Sequence, residues 1–241
     1  MNIDNRDRVI ALVMKHYRSL SRSDEYSWVR WSTVRCPLSL QKANELFVGV
    51  MLDQGQKAER AWHGGEHFVR THFTGKAGFW EEIRKADPKT VERICQSGYE
   101  GTSYALRYCV NKFPKWLRSA AVAMLEKYQG DPRRIWAVAP ENVSQIYDRF
   151  LEFDGIGDAL AKMAQFSLVR KYGVAGGKKN QSKMSVKLDV HVRRVLARTG
   201  ITETEKLSGA LSTLSRLNLR QPADFDASLW DVGRRFCKKT S

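Results

Sequence analysis

The chain has 241 residues, of which 42% are hydrophobic, and its 41 Lys and Arg against 26 Asp and Glu give a net charge of +15. The hydrophobic fraction supports a packed core in one domain or two small ones, and no run of about 18 apolar residues is present, which excludes a membrane span. The basic excess favours a polyanion partner, through phosphate neutralisation and counterion release; a basic protein without such a partner is the alternative.

The four cysteines bear on metal binding and on the compartment. They lie far apart, with no pair at the spacing of a Cys-x-x-Cys motif: Cys36, Cys95, Cys109 and Cys237. This argues against a cysteine zinc site and favours reduced thiols in a cytoplasmic protein. The first eight residues lack the apolar core of a signal peptide.

Apolar residues recur at helical spacing along most of the chain. The pattern predicts helices that include residues 9–20, 46–52, 116–125, 140–150 and 207–217. No segment shows the alternation of a strand ladder. The predicted fold class is therefore all-α, with about ten helices.

Two segments interrupt the helical pattern. Residues 21–37 mix polar side chains with aromatic ones, and residues 173–185 form a glycine- and lysine-rich segment. The second segment is predicted to be a flexible basic loop that either touches the backbone of a polyanion partner or is a disordered insertion.

A Gly-x-Gly turn joins two predicted helices at residues 151–161. Gly155 and Gly157 allow positive φ or close backbone approach, and the helix that follows begins with amides that point outward. These amides, with the positive helix end behind them, can hold a phosphate without a side chain. Lys162 could add a phosphate contact. An ordinary helix–helix turn, packed through Ile156, is the alternative.

Asp189 stands at the predicted start of another helix, where aspartate is a good N-cap. A carboxylate at that place stays ionised, because the helix dipole and local N–H donors favour the anion. It could stabilise the positive charge that develops on a sugar when a glycosidic bond breaks, and it could orient water for attack. A purely structural cap is the alternative, and the two roles are compatible. His191, on the same helix, is predicted either to be solvated or to contact phosphate.

These two segments together resemble the helix-hairpin-helix (HhH-GPD) DNA glycosylases of the endonuclease III superfamily. That family has a Gly-hydrophobic-Gly hairpin, matched by residues 155–157, and then Val-Asp-x-His, similar to Leu-Asp-Val-His at 188–191. Residues 50–56, Val-Met-Leu-Asp-Gln-Gly-Gln, look like Val-Met-Leu-Gln-Gln-Thr-Gln of the adenine-mismatch branch. Residues 233–237, Gly-Arg-Arg-Phe-Cys, are similar to the Gly-Arg-x-x-Cys that opens the family's iron–sulfur loop. The four matches share the family's order, and the resemblance covers the chain from about residue 40 onward.

The resemblance implies a two-lobed all-α fold with a substrate cleft between the lobes. A six-helix domain at residues 36–186 would carry the hairpin, and residues 1–35 with 187–241 would form the terminal lobe. The target base would be flipped out of the duplex into the cleft. Gln54 or Gln56 would fill the gap left behind, although a simple polar helix end explains both glutamines too.

Two departures from the family pattern narrow the expected chemistry. Ala159 stands where bifunctional members carry the lysine that forms a Schiff base, and Lys162, nearly one turn further on, is not expected to replace it. A monofunctional enzyme that uses water is therefore predicted. Gly49 stands where the adenine-mismatch branch carries a glutamate, for which Glu45 is a weak substitute, so adenine excision by that acid is not expected.

No cofactor is expected to be required. Only four residues follow Cys237, too few for the family's four-cysteine loop, so no iron–sulfur cluster is predicted. The terminal lobe would then depend on apolar packing, with Leu229, Trp230 and Phe236 as candidates. The resemblance allows a monovalent cation at the hairpin carbonyls. A metal site at the histidines of residues 63–72 is conceivable, but surface or DNA-facing histidines are favoured.

The sequence therefore predicts a monomeric DNA base-excision glycosylase that hydrolyses the N-glycosidic bond of a damaged, mismatched or modified base in double-stranded DNA. The predicted catalytic residue is Asp189. The predicted DNA-binding residues are Gly155, Ile156, Gly157, Ala159, Gln54, Gln56, Lys162 and His191. Two alternatives are a non-catalytic helix-hairpin-helix DNA-binding protein and a glycosylase with weak lyase activity through some other amine.

Overall fold

A computed structural model describes residues 3–24, 29–33, 36–106, 109–202, 206, 208, 210, 214, 217 and 219–237. Its helices are α1 (Ile3–Leu20), α2 (Leu40–Leu52), α3 (Ala58–Thr71), α4 (Phe79–Lys85), α5 (Pro88–Ser97), α6 (Phe113–Tyr128), α7 (Ser144–Phe150), α8 (Asp158–Tyr172), α9 (Val190–Arg198) and α10 (Pro222–Phe236). Shorter 3-10 segments are Pro132–Arg134, Pro140–Asn142 and Val174–Lys183.

The all-α prediction is confirmed. The described residues contain no strand, only an isolated bridge between Tyr99 and Thr102. None of the helices described combines the length and the apolar character that a bilayer crossing needs. Much of the helix predicted at 207–217, including Leu207 and Leu211, lies outside the described residues.

The chain divides into two compact units. The central unit is Cys36–Gln165, and the terminal unit is Met1–Arg35 with Phe166–Ser241. The boundary at residue 165 falls inside α8, whereas the predicted six-helix domain extended to residue 186. That predicted domain, 36–186, stays a prediction.

Two glycines bring α2 and α3 into backbone contact in the central unit. A Cβ added to Gly65 would lie 2.6 Å from the amide nitrogen of Gly49, and one added to Gly49 would lie 2.7 Å from the indole of Trp62. Ser39 caps α2 by accepting a hydrogen bond from the Lys42 amide at 3.2 Å. The continuous apolar run of α2 is buried, as its composition predicts.

Aromatic rings connect α2 to the chain that leads into the Gly-x-Gly turn. The Phe47 ring lies 6.0 Å from that of Phe150 and 4.7 Å from that of Phe153, measured between centroids. Phe47 also packs edge-on against Trp80, whose indole N–H donates to Asn44 at 2.8 Å. These contacts anchor the start of the turn in the core of the central unit.

The terminal unit is built on α10, which packs against α1 and α9. Val192, Leu196, Phe225 and Leu229 are buried in its main apolar cluster, and Trp230 is partly buried against it. The packing role expected of Phe236 is wrong, because that ring is 71% exposed at the end of α10. The four cysteines are free thiols, as predicted, and Cys36 is the exposed one.

The basic segment at 173–185 contains 3-10 turns that are interrupted at residues 175–177, where φ is positive. Val174, Ala175 and Gln181 are buried, and the Asn180 side chain donates to the Ala175 carbonyl at 2.8 Å. Internal packing therefore gives this segment a defined conformation.

Candidate nucleic-acid interface and catalytic carboxylate

The Gly-x-Gly turn between α7 and α8 is anchored by two buried side chains. After α7 ends at Phe150, the amide of Phe153 donates to the Phe150 carbonyl at 3.3 Å, and the amide of Ile156 donates to the Phe153 carbonyl at 3.0 Å. The side chains of Phe153 and Ile156 are 2% and 4% exposed. Ile156 is thus a packing residue whose burial shapes the turn, and its predicted DNA contact stays a prediction.

Gly155 is required at its position for two reasons. Its φ is +82°, in the left-handed region that favours glycine, and an added Cβ would lie 2.5 Å from the indole of Trp116. Trp116 lies on α6, so the ring fixes where the turn passes this helix. Sequence reasoning missed Trp116, because nothing local marks an indole 39 residues upstream as the neighbour of a glycine.

Gln54 braces the turn. Its side-chain amide donates to the Gly155 carbonyl at 2.7 Å and to the Met51 carbonyl at 3.1 Å. Gln56 is engaged in a similar way, donating to the carbonyls of Leu52 at 2.6 Å and Tyr104 at 3.2 Å. Both amide nitrogens therefore bind backbone of the central unit, and the gap-filling role expected of either glutamine stays a prediction. The cation expected at the hairpin carbonyls is likewise untested, and the Gly155 carbonyl already accepts this hydrogen bond.

Gly157 leaves an open approach to the start of α8. It is exposed, and an added Cβ would meet nothing within 4 Å. The amide of Ala161 makes the first hydrogen bond of the helix, to the Gly157 carbonyl at 3.0 Å. The amides of residues 157–160 precede that bond and are the unsatisfied donors of a helix N-terminus. Ala159 lies in this first turn and carries no amine.

An acidic side chain at this helix start has two partners in the central unit. Asp158 accepts a hydrogen bond from the Tyr147 hydroxyl at 2.8 Å and forms an ion pair with Lys162 at 2.9 Å. Lys162 is only 5% exposed, and its ammonium also lies 5.7 Å from the centre of the Tyr147 ring. The phosphate contact predicted for Lys162 stays a prediction, and its observed partner is Asp158.

Asp189 caps α9 in the terminal unit. Its Oδ1 accepts hydrogen bonds from the amides of His191 at 2.9 Å and Val192 at 3.0 Å, which confirms the N-cap. The side chain is 19% exposed, so it is fixed by the helix and still accessible. Two amide donors and the start of the helix therefore fix the orientation of the carboxyl group.

Lys187 holds the second oxygen of this carboxylate. Its ammonium lies 3.2 Å from Asp189 Oδ2 and 5.9 Å from the centre of the Trp230 ring. Its side chain is 15% exposed. Sequence reasoning missed Lys187, although a lysine two residues before a predicted catalytic aspartate was a signal that could have been read.

A second carboxylate lies buried beside this pair. Asp226 of α10 accepts a hydrogen bond from the Lys187 amide at 2.9 Å. Burial raises the pKa of Asp226 to about 7; the charge of Lys187 opposes the rise and that of Asp189 adds to it. The backbone that carries the candidate catalytic residue is therefore tied to α10 by an acid that resists ionisation.

His191 faces the interior of the terminal unit through one ring nitrogen. Its Nδ1 is buried, with no hydrogen-bond partner among the described residues, and its ring lies 6.3 Å from that of Trp230. The carbonyl of His191 would lie 2.5 Å from a Cβ added to Gly233, so the glycine of the Gly-Arg-Arg-Phe-Cys match allows α9 and α10 to approach. The DNA contact predicted for His191 stays a prediction.

The structure shows why a glutamate, which the adenine-mismatch branch carries at the position of Gly49, would not fit here. Trp62 occupies the space that a side chain there would need. Glu45, one turn earlier, is 5% exposed and forms ion pairs with Lys42 at 2.7 Å and Arg70 at 2.8 Å. Burial alone would raise the pKa of Glu45, but the hydrogen bonds from these two cations outweigh burial and lower it. Glu45 is therefore an ionised structural residue rather than a proton donor.

Two of the histidines in residues 63–72 contact the hydroxyl group of Tyr104. The Tyr104 hydroxyl lies 2.6 Å from His67 Nδ1 and 3.0 Å from His72 Nε2, and burial raises the pKa of Tyr104 to about 12. Among the described residues no three His, Cys, Asp or Glu side chains come together as a metal site. Cys237 is a single buried thiol, which does not fit a four-thiolate iron–sulfur cluster.

The fold is similar to that of a solved DNA glycosylase. A structure described as a thermostable thymine-DNA glycosylase aligns with a TM-score of 0.55, covering 98% of this chain and 88% of that chain at 14% sequence identity. No family model matches the chain, and no curated protein matches it by sequence. At this identity the likeness shows the fold, and the chain thus has the all-α fold of a DNA glycosylase.

Proposed function

We propose that this protein is a monofunctional DNA glycosylase, which acts as a monomer on double-stranded DNA and hydrolyses the N-glycosidic bond of a damaged, mismatched or modified base. The observation that carries the proposal is the fixed, partly exposed carboxylate of Asp189 at the start of α9. The fold shared with a thymine-DNA glycosylase supports the proposal independently of the sequence motifs.

Asp189 would act on the sugar of the flipped nucleotide. As the bond from C1′ to the base breaks, positive charge grows on C1′ and the ring oxygen, and the nearby carboxylate stabilises that charge. Water then bonds to C1′, its proton leaves through the solvent, and the base departs with the bonding electrons and takes up a proton. Because two backbone amides already hold Oδ1, the carboxylate needs little reorganisation during the reaction.

The turn at Gly155–Gly157 would hold a phosphate of the same strand. The amides of residues 157–160 are donors at the positive end of α8, and the open space beside Gly157 lets a phosphate approach them. Asp158 would repel that phosphate if its charge were free, and the ion pair with Lys162 offsets the repulsion. Lys162 would therefore assist DNA binding from the interior.

Asp189→Asn tests the proposal, because asparagine also caps helices and keeps the Oδ1 acceptor while it removes the charge. Base release should fall by about 100- to 1,000-fold, as when one preorganised electrostatic group is removed from an active site. Binding to duplex DNA with an abasic-site analogue should stay nearly unchanged. The matched control is Asp87→Asn at the N-cap of α5, where the carboxylate accepts from the Thr90 amide at 2.9 Å; it should release base at the wild-type rate.

The substrate base is found with a panel of duplexes, each with one altered base, and mass spectrometry of the freed base. A protein that binds these duplexes and frees no base, with the same affinity in wild type and Asp189→Asn, would be a non-catalytic DNA-binding protein. That result would overturn the proposed activity.

The Lys187–Asp189 pair favours a second candidate, a glycosylase with lyase activity. Asp189 would accept a proton from the ammonium, and the free amine would add to C1′ of the abasic sugar. Loss of water gives a Schiff base, and removal of a C2′ proton then expels the 3′ phosphate. Borohydride should trap a covalent adduct on an abasic oligonucleotide in wild type but not in Lys187→Met. Absence of any adduct in wild type supports the monofunctional proposal.

A further inference from the structure

A pocket of about 500 Å³ lies within the terminal unit, on residues that the proposed reaction does not use. Its walls combine one indole ring, two hydroxyl residues, glycine backbone and two lysines: Trp31, Ser32, Thr33, Gly173, Gly176, Gly177, Lys178 and Lys179. The volume is within the range of small-molecule sites. Among the residues that the structure describes, no acidic one lines it.

The indole of Trp31 is held as a rigid platform. Its N–H donates to Asp224 at 2.7 Å, and the guanidinium of Arg170 lies 5.1 Å from the ring centre. Arg170 is 4% exposed and donates to the Ala223 carbonyl at 2.7 Å, so it is fixed in turn. A ring immobilised in this way can stack on another flat ring without losing further side-chain freedom.

The glycine-rich part of the wall belongs to a segment with left-handed backbone. Ala175, Gly176 and Gly177 all have positive φ, at +49°, +81° and +58°. The left-handed conformation is unfavourable for Ala175, and burial of its side chain with Val174 offsets that cost. The segment therefore presents its lysines to the pocket from a defined conformation.

The pocket is positively charged at its rim. Lys178 and Lys179 are exposed, and within the described part of the chain neither ammonium forms an ion pair with a carboxylate. Positive charge beside an aromatic platform is the arrangement that single-stranded nucleic acid sites use, where bases stack and cations hold the phosphates.

We propose that this pocket binds an unpaired nucleotide of single-stranded DNA, with its base stacked on Trp31 and its phosphate between Lys178 and Lys179. Stacking reads no base edge, so the site accepts any base. The proposal rests on DNA being the partner of the proposed function, but it adds a site for unpaired DNA that is separate from the hairpin and from Asp189. It also assigns a role to the basic segment 173–185.

The test is fluorescence anisotropy with a labelled oligothymidine of eight nucleotides. The double variant Lys178→Ala, Lys179→Ala should bind about tenfold more weakly than wild type, and its log Kd should depend less on log salt, by a slope of about 1. The matched control, Lys76→Ala with Lys89→Ala, removes the same charge from exposed positions of the central unit and should stay within about twofold. Equal losses of affinity in both double variants would show that only net charge matters, and would overturn the proposal.

Two variants of Trp31 test the stacking. Trp31→Phe keeps a flat ring and should bind the oligothymidine better than Trp31→Leu, which does not; equal binding would overturn the assigned base platform. Urea unfolding shows whether each variant is folded, and the lysine variants carry the test if Trp31→Leu is not. Competition with thymidine monophosphate distinguishes two kinds of site. The monophosphate displaces the oligothymidine from a site for the free nucleotide, and it does not displace it from a site for the strand. Because oligothymidine binding needs no base release, failure of this site and failure of the glycosylase proposal are separately visible.

Discussion

Substitution of alanine for each of the two glycines of the turn should affect different properties, stability at Gly155 and DNA affinity at Gly157. Gly155→Ala forces a left-handed residue at φ +82° and places a Cβ 2.5 Å from the Trp116 indole. The left-handed conformation costs about 1–2 kcal/mol and the overpacking about 1–3 kcal/mol, so the free energy of unfolding should fall by about 2–5 kcal/mol. Gly157→Ala meets nothing within 4 Å and has no left-handed φ, so its stability should change by no more than about 0.5 kcal/mol.

DNA binding should be weakened by Gly157→Ala, the variant that leaves stability unchanged. In Gly157→Ala the methyl group stands in the space that a phosphate needs to reach the amides of α8, so affinity for an abasic-site duplex should fall about tenfold although the fold is intact. Urea unfolding at 25 °C measures the first quantity, and anisotropy with the duplex measures the second. A stable Gly155→Ala variant would refute the packing argument. Wild-type affinity in Gly157→Ala would refute the phosphate site.

Three further predictions test other parts of the structure. Because the pKa of Asp226 is raised to about 7, this residue binds more protons in the folded protein than in the unfolded chain between about pH 4 and 7. Its own contribution to stability is therefore fully present below about pH 4 and is lost as pH rises to 7, by up to about 4 kcal/mol. Asp226→Asn should remove this loss, and parallel unfolding curves of the two proteins at every pH would contradict the assignment. Gly49→Ala should destabilise the protein by about 1–3 kcal/mol, because its methyl would lie 2.7 Å from an indole, whereas Gly64→Ala, whose methyl lies 3.6 Å from its nearest neighbour, should be neutral or stabilising in thermal unfolding. Gln54→Met should cost about 1–3 kcal/mol in urea unfolding by leaving the hairpin carbonyl unpaired, and no loss of stability would show that the brace is unimportant.

Local sequence patterns determined most of the helices and the two features of the candidate site, the Asp189 cap and the Gly-x-Gly turn. A period of about 3.6 residues in apolar side chains predicts α1 and α6, since a helix has one buried face whatever it packs against, and a continuous apolar run predicts the buried helix α2. Asp189 was predicted as a cap for a local reason too, because its oxygen reaches amides only two and three residues ahead. The need for glycine at Gly155 follows from turn geometry within a few residues.

Only the tertiary structure decided which distant side chains contact the turn and the segment that carries Asp189. Trp116, Gln54 and Asp226 reach their targets across 39, 101 and 39 residues, and no spacing rule connects them. The exposed Phe236 shows the same limit, since an apolar residue near the end of a helix is buried only if a neighbour covers it. Periodicity encodes the face that a helix buries, whereas the partners on that face exist only when remote segments of the chain are brought together, as when the Trp116 indole meets Gly155 and the Asp226 carboxyl meets the Lys187 amide.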